Sequence, residues 1–199
     1  MKKVISLISA VVIIISLSQC NQADKKNENK EVPSMKNGSD ACMTPISAGD
    51  SAKYISKQLV VKGDVEIPLT LTVDSLKKMN VVKIDSFKVV CQSGATMKQN
   101  ETCAGVLLKD ILEKAKIKQL NHKDRNFYIV ARATDNYKAT FSWAELFNNP
   151  TGEHVYVIYE ENGMPIKHQG DMILICTNDI KTGPRHVFWL SSIEVNRVN

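Results

Sequence analysis

The residues of this chain whose types and spacing best suit chemistry lie in the segment 89–117, where two cysteines stand at the two ends of a polar stretch. The first is Cys91 and the second is Cys103. A cysteine sulfur can bind a soft metal as a thiolate, or it can form a disulfide with a second cysteine. A sulfur in a disulfide cannot also ligate a metal, so the two roles exclude each other at Cys91.

The pattern on either side of the cysteines predicts the elements that position them. Alternate residues from Phe87 to Cys91 share one face, which predicts a strand over residues 86–91. Residues 92–102 are polar and small, which predicts a loop. A helix is predicted over residues 106–115, because apolar side chains recur there at the helical period. A loop held between two anchored elements is a common place for a ligand site.

Short motifs follow one another in a fixed order between Gly63 and Val195. The members of this series are Cys91, Gly105-Val106, Asp135-Asn136-Tyr137, Gly163, Pro165 and Gly170. Their order resembles that of the oxidoreductase molybdopterin-binding domain, which is the catalytic domain of the sulfite oxidase family. The family has an Asp-Gly-Tyr turn where this chain has Asn136, and asparagine tolerates the positive φ that such a turn requires.

The resemblance implies a molybdenum–molybdopterin site at Cys91. In the family, molybdenum is held by the dithiolene sulfurs of a pterin and by one protein cysteine, and Cys91 stands at the position of that cysteine. Cys91 is then the metal ligand and the catalytic residue of an oxidoreductase that moves an oxygen atom and two electrons between water and a small oxyanion or sulfoxide. The hydroxyl groups and positive charges that the resemblance implies for cofactor binding are those of Ser93, Thr96, Lys98, Arg185 and His186.

Two departures from the family leave a second function open. Relatives that hold the cofactor have arginines close to the cysteine, whereas this chain has only Lys98 nearby, and Cys103 stands where the family often has tryptophan. A Cys91–Cys103 disulfide would close a short loop and would stabilise the fold by about 3 kcal/mol in the chain-entropy model. The alternative is therefore a cofactor-free binding or structural module of the same fold that carries this disulfide.

The resemblance and the remaining patterns predict an α+β domain of the sulfite-oxidase type, in which mixed and antiparallel β-sheets are joined by a few short helices. A short helix capped by Asp74 or Ser75 is expected after the second strand, and another is expected over residues 141–146. Cys176 lies in an apolar run and is expected to be a small buried residue. Further strands are predicted over residues 59–62, 69–73, 126–133, 155–159, 172–176 and 186–195.

The first twenty residues are typical of a bacterial lipoprotein signal peptide. A positively charged start precedes an apolar run over residues 4–17, and the segment ends at Cys20, the expected lipidation site. Residues 21–53 are polar and charged, which predicts a disordered tether, and residues 54–199 form the predicted domain. We therefore expect an exported protein, anchored by lipid to a bacterial membrane on its periplasmic or outer side, where disulfides are permitted.

Composition and spacing exclude several other classes of function. Loss of Lys2 and Lys3 with the signal peptide would lower the net charge from +5 to +3, which is not the charge of a nucleic-acid-binding domain. The four histidines show no zinc-ligand spacing. The sequence has no haem motif, so an oxidoreductase of this kind would pass its electrons to a separate partner protein.

Overall fold

Alternating apolar side chains build this chain into two β-sheets and a separate β-hairpin. The computed structural model describes residues 52–100, 102–166 and 169–198, which belong to one compact unit, Gly38–Asn199. The strands of the described residues are β1 (Leu59–Gly63), β2 (Leu69–Leu71), β3 (Val81–Ile84), β4 (Phe87–Val90), β5 (Thr96–Asn100), β6 (Cys103–Leu107), β7 (Phe127–Ala133), β8 (Lys138–Ser142), β9 (Val155–Glu161), β10 (Met164–Pro165), β11 (Ile173–Cys176) and β12 (Leu190–Arg197). Their α-helices are α1 (Val73–Leu76), α2 (Leu108–Ala115) and α3 (Trp143–Phe147), and 3₁₀ helices cover Ala52–Tyr54, Pro150–His154 and Gly183–Arg185.

The first sheet is mixed and has the strand order β2-β1-β12-β7-β8. β1 and β12 are parallel, whereas the other neighbours are antiparallel. A parallel pair needs a long crossover connection, and here the second sheet, the hairpin and the helices lie in sequence between β1 and β12. The first and last strands of the described chain therefore meet in one sheet, where Val61 of β1 pairs with Ile193 of β12.

The second sheet is antiparallel and has the order β10-β9-β6-β3, with β11 also paired to β9. Its inner strands β6 and β9 approach closely at Gly105, where an added Cβ would lie 2.5 Å from the carbonyl oxygen of Val157. Glycine is the residue that avoids this overlap. The Gly105-Val106 motif of the sequence therefore marks a close contact between two strands.

The main core joins both sheets and α2. Ile129 and Ile193 of the first sheet share this core with Val157 of the second sheet. α2 adds a buried stripe at the helical period, formed by Leu108, Ile111, Leu112 and Ala115. Packing of this stripe stabilises the helix, although Leu107 at its N-cap makes no side-chain capping hydrogen bond.

A second apolar cluster, which we call the outer cluster, covers the other face of the second sheet. Its buried members are Ile84, Val89, Cys103, Leu107, Tyr156, Ile158, Ile166, Ile173 and Ile175. β9 shows the alternation clearly, because Val157 belongs to the main core and Ile158 to the outer cluster. Val89 and Phe87 bring the β4–β5 hairpin onto this face. Within the described residues, β4 and β5 form a hydrogen-bonded ladder only with each other.

The elements around the cysteines differ in part from the prediction. The loop predicted over residues 92–102 contains β5, which pairs with β4. The helix predicted over residues 106–115 begins at Leu108, because Val106 and Leu107 complete β6. The apolar run at this boundary fits a buried strand and a helix equally well, so its pattern does not show where the strand ends and the helix begins.

The last strand begins later than predicted. β12 starts at Leu190 instead of residue 186. Trp189 has a φ of 46°, which interrupts the extended backbone. A register shift between Leu190 and Ser192 follows at once. The residues from His186 to Trp189 therefore form an irregular segment that can turn its side chains inward.

Smaller predictions can also be compared with the structure. α1 is capped by Thr72, whose Oγ1 accepts a hydrogen bond from the N–H of Ser75 at 3.2 Å, so the predicted cap at Asp74 or Ser75 is wrong. The turn at Asn136 is confirmed by its φ of 75°, and Cys176 is buried as predicted.

The predicted signal peptide, Cys20, Cys42 and most of the predicted tether lie in residues 1–51, outside the described residues. Within the part of the chain that is described, no helix is long and apolar enough to cross a membrane.

Candidate functional site

Cys91 lies directly after β4, at the turn of the hairpin. Its N–H donates to the carbonyl of Ala95 at 2.9 Å, and its carbonyl accepts from the N–H of Gly94 at 2.9 Å. Gly94 has a φ of 92°, in the left-handed region that favours glycine. The turn thus uses backbone N–H groups of the kind that an anionic ligand would need.

A buried threonine from the loop before β12 holds the hairpin in place. Thr182 Oγ1 accepts a hydrogen bond from the N–H of Val90 at 2.9 Å and donates to the carbonyl of Lys88 at 2.8 Å. The loop that contains the predicted site residues Arg185 and His186 is thereby attached to the hairpin that contains Cys91. The structure brings these two segments together, as the predicted site requires.

Cys91 is disulfide-bonded. This bond affects both roles predicted for Cys91, the molybdenum ligand and the partner of Cys103. Cys103 and Cys176, the free cysteines of the described residues, are buried thiols. The predicted Cys91–Cys103 disulfide is therefore wrong. Cys91 is also not available as a molybdenum ligand in this form, because the sulfur that would bind the metal is bonded to another sulfur.

Cys103 points into the outer cluster because of its place in β6. It pairs with Ile84 of β3 and with Glu161 of β9. Burial and, to a smaller extent, the carboxylate of Glu161 raise the pKa of its thiol to about 11. Such a thiol is almost wholly protonated at neutral pH, whereas the thiolate is the form that ligates metals and attacks disulfides.

Arg185 is engaged with carboxylates of the protein itself. Its Nε and Nη2 donate to the two carboxylate oxygens of Asp179 at 2.8 and 2.5 Å, and its Nη1 donates to Oε1 of Glu145 at 2.9 Å. The hydrogen bonds with Asp179 and Glu145 raise the pKa of the guanidinium above its ordinary value. A pterin phosphate would have to displace this bidentate pair. The predicted phosphate anchor is therefore occupied.

His186 is a buried neutral base. Its side chain is 6% exposed, and within the described part of the chain neither ring nitrogen has a hydrogen-bond partner. Burial, with a smaller contribution from the charge of Lys98, lowers its pKa to about 3. Its ring packs edge-on against Phe188, with the centroids 4.4 Å apart. A neutral imidazole offers no positive charge to a phosphate or an oxyanion.

The remaining predicted cofactor-binding residues lie on the hairpin. Lys98 Nζ forms an ion pair with Oε2 of Glu161 at 2.7 Å, which balances its charge. Ser93 and Thr96 are exposed to solvent, and Thr96 stands opposite Val90 in the β4–β5 ladder. Their hydroxyl groups are accessible, but they carry no charge.

The described residues do not fit a molybdenum–molybdopterin group in this disulfide form. The sulfur of Cys91, the predicted metal ligand, is already bonded, and the charges of Arg185 and Lys98 are matched by carboxylates. Among the described residues, no group of His, Cys, Asp and Glu side chains could hold a metal ion. Cofactor binding would require the disulfide to open and the ion pairs to rearrange.

A surface groove of about 560 Å³ lies beside the hairpin, and the sequence did not predict it. Phe87 and Tyr156 form part of its apolar lining, and Lys83, Asp85 and Lys88 are among its charged residues. These residues come from β3, from the link between β3 and β4, from β4 and from β9. They are distant in the sequence, so no sequence motif contains them all. The polar break between β3 and β4 is the single local signal that points to this surface.

Comparison with known proteins identifies the fold. The model of a family described as the oxidoreductase molybdopterin binding domain matches residues 46–199. The crystal structure of the sulfane dehydrogenase SoxCD from Paracoccus pantotrophus is similar, with a TM-score of 0.55 and 18% sequence identity. The match covers 71% of this chain and 39% of that chain. No curated protein sequence matches the chain.

These findings agree with the architecture. Mixed sheets and a few short helices confirm the predicted α+β fold of the sulfite-oxidase type. At 18% identity, the SoxCD structure supports the fold alone, whereas the family model spans most of the chain. The chain belongs to the oxidoreductase molybdopterin-binding domain family.

Proposed function

We propose that this protein is an exported, lipid-anchored binding module of its family, and that it holds no molybdopterin while Cys91 is oxidised. The observation that carries the proposal is the disulfide at Cys91. This bond occupies the protein sulfur that the family resemblance predicts as the metal ligand. The expected lipid on Cys20 and a tether over residues 21–53 would hold the module at a membrane surface.

The ion pairs of Arg185 and Lys98, two predicted cofactor-binding residues, support this proposal. A site for an anionic cofactor carries an excess of positive charge. Here Arg185 binds Asp179, and the two side chains are only 21% and 18% exposed. Lys98 binds Glu161 in the same partly buried manner. These cations stabilise the fold through internal partners and leave little charge for a pterin phosphate.

The groove beside the hairpin gives a binding module a place for its ligand. Lys83, Asp85 and Lys88 are exposed charged residues along it, whereas Phe87 and Tyr156 are more buried. Binding sites for small molecules combine an apolar lining with a few placed polar groups. This lining suits a small molecule that has an apolar body and charged groups of both signs.

Elemental analysis for molybdenum tests the proposal. The full chain would be produced with its export signal in a bacterial host that makes the cofactor, together with Cys91→Ser and with Cys103→Ser as a matched loss of one cysteine. We expect background molybdenum in all three proteins. Near-stoichiometric molybdenum in the native chain and in Cys103→Ser, but not in Cys91→Ser, would refute the proposal.

A molybdenum oxidoreductase is the second candidate. It is favoured by the family match over residues 46–199 and by the position of Cys91 at the end of β4. The bound group would supply oxygen-atom and two-electron transfer on a small oxyanion or sulfoxide, and a separate protein would accept the electrons. Production of the chain in a reducing cytoplasm, where the disulfide does not form, separates the two candidates. If the cytoplasmic protein contains molybdenum and the exported protein does not, the result would favour an enzyme that the disulfide inactivates.

A further inference from the structure

We infer that the groove beside the hairpin binds short free peptides, which add a strand to the open edge of β3. The inference rests on the proposed function, because it names the class of ligand that the binding module takes. A short peptide has an apolar body and two charged ends of opposite sign, as the lining of the groove requires. The ligand class can be wrong while the cofactor is still excluded, so it needs a measurement of its own.

β3 is an edge strand of the second sheet. Its ladder runs to β6, and among the described residues it pairs with no other strand. In an antiparallel pair, the N–H and C=O groups of alternate residues point away from the partner strand. Within the described part of the chain, no further backbone hydrogen bond reaches Val81–Ile84. An extended chain laid along this edge would therefore find free donors and acceptors.

The opposite edge of the same sheet is closed. β10 has only two residues, and one of them is Pro165, which has no N–H to donate. β11 is covered by the segment before β12, because Leu174 and Val187 exchange backbone hydrogen bonds of 2.9 and 2.8 Å. Proteins protect sheet edges in such ways, since an open edge can pair with another chain. β3 has four residues and no proline, so its edge remains suited to pairing.

The groove lies beside the edge of β3. Lys83 and Ile84 of β3 line it, and residues 85–86 then lead into β4, which does not pair with β3. The outer edge of β4 is already occupied, because Thr182 Oγ1 accepts a hydrogen bond from the N–H of Val90 at 2.9 Å. A peptide in the groove would therefore form its ladder with β3. A paired peptide of about four residues would extend over roughly 13 Å.

The outer cluster supplies the apolar wall of the groove. Ile84 and Tyr156 are buried members of this cluster, Phe87 packs against it, and all three line the groove. Alternate side chains of an added strand point to the same face. Every second side chain of the peptide would therefore extend the outer cluster, and its burial would favour binding. We expect β-branched or aromatic residues at these positions of the peptide.

The unpaired charges of the groove suit the two ends of a free peptide. Lys83, Lys88 and Asp85 line the groove, and none of them forms an ion pair with another described residue. Asp179 also lines it, but its carboxylate binds Arg185. The two ammonium groups attract the C-terminal carboxylate of a peptide, and Asp85 attracts its N-terminal ammonium. The volume of about 560 Å³ is within the usual range for sites of small ligands.

Calorimetric titration with a defined peptide tests the inference. The exported full chain in detergent would be titrated with Thr-Val-Thr-Val that has free ends, and with the same peptide methylated on its backbone nitrogens. Methylation removes the N–H donors and keeps the side chains. We expect the methylated peptide to bind at least about tenfold more weakly, because it loses hydrogen bonds to β3. Hydrogen exchange at residues 81–84 should become slower with the unmethylated peptide alone.

Lysine variants test the charges of the groove. Lys83→Gln and Lys88→Gln each remove one positive charge from the lining, and Lys114→Gln on α2 removes the same charge elsewhere. We expect each groove variant to bind the peptide about two- to fivefold more weakly, and the α2 variant to bind it like the native chain.

The inference would be overturned by the absence of peptide binding, by equal affinity for the two peptides, by unchanged hydrogen exchange in β3, or by native affinity in both groove variants. Absence of peptide binding together with background molybdenum would leave the proposed function intact. Near-stoichiometric molybdenum in a chain that binds the peptide as expected would refute the proposed function alone.

Discussion

Replacement of Thr182 by valine tests whether one buried hydroxyl holds the hairpin over the second sheet. Valine has nearly the same shape, but it leaves the N–H of Val90 without its acceptor at 2.9 Å and the carbonyl of Lys88 without its donor at 2.8 Å. Thr182 is 4% exposed, so water does not readily replace the hydroxyl. A buried polar group left unpaired costs about 1–3 kcal/mol. We expect the free energy of unfolding to fall by about 2 kcal/mol, which lowers the melting temperature by roughly 4–8 °C in a domain of this size.

Denaturant unfolding of the full chain measures this loss, and Thr182→Ser is the matched control because it keeps the hydroxyl. Hydrogen exchange at the amide of Val90 reports the local effect. We expect the valine variant to lose stability and to lose protection at Val90, with the serine variant close to the native protein. Equal stability and equal protection in the valine variant would show that this hydroxyl is not the group that holds the hairpin.

Three further predictions concern other parts of the chain. Gly105→Ala places a Cβ 2.5 Å from a β9 carbonyl oxygen; we expect a loss of about 2 kcal/mol or more in denaturant unfolding, and native stability would contradict the close contact. The fold lowers the pKa of His186 to about 3. The unfolded chain therefore binds the proton first, and stability should fall as the pH drops from about 6.5 toward 3. His186→Phe should remove this part of the pH dependence of the unfolding midpoint, and an unchanged slope would show that another group causes it. Cys20→Ser should abolish incorporation of labelled fatty acid, and incorporation that persists in this variant would contradict lipidation at Cys20.

The strands that position the site were easier to predict from the sequence than the bonds that its side chains make. The strand that ends at Cys91 was predicted because its apolar residues alternate against the outer cluster. β5 was missed because Met97 is the single apolar residue of this strand, and the strand pairs only with β4 among the described residues. A strand with an exposed face on a small hairpin leaves no alternation of apolar residues in the sequence.

The charges of the site could not be assigned from the sequence. Arg185 was predicted to bind an anionic cofactor, but its partners are Asp179, in the preceding loop, and Glu145 at the start of α3. The second contact depends on how the chain folds back, which no local pattern reveals. The same reason applies to Cys91, because cysteine spacing does not determine which cysteines pair.

The β4–β5 hairpin packs on the second sheet through side chains alone, and this affects how proteins of this family can diverge. Among the described residues, the main core contains no side chain of this hairpin, and its strands pair only with each other. Substitutions there can change the charge, the thiol chemistry and the shape of the surface while the two-sheet frame stays intact. Natural selection can therefore adjust or abolish a ligand site within one short segment, at little cost to the folding of the rest of the domain.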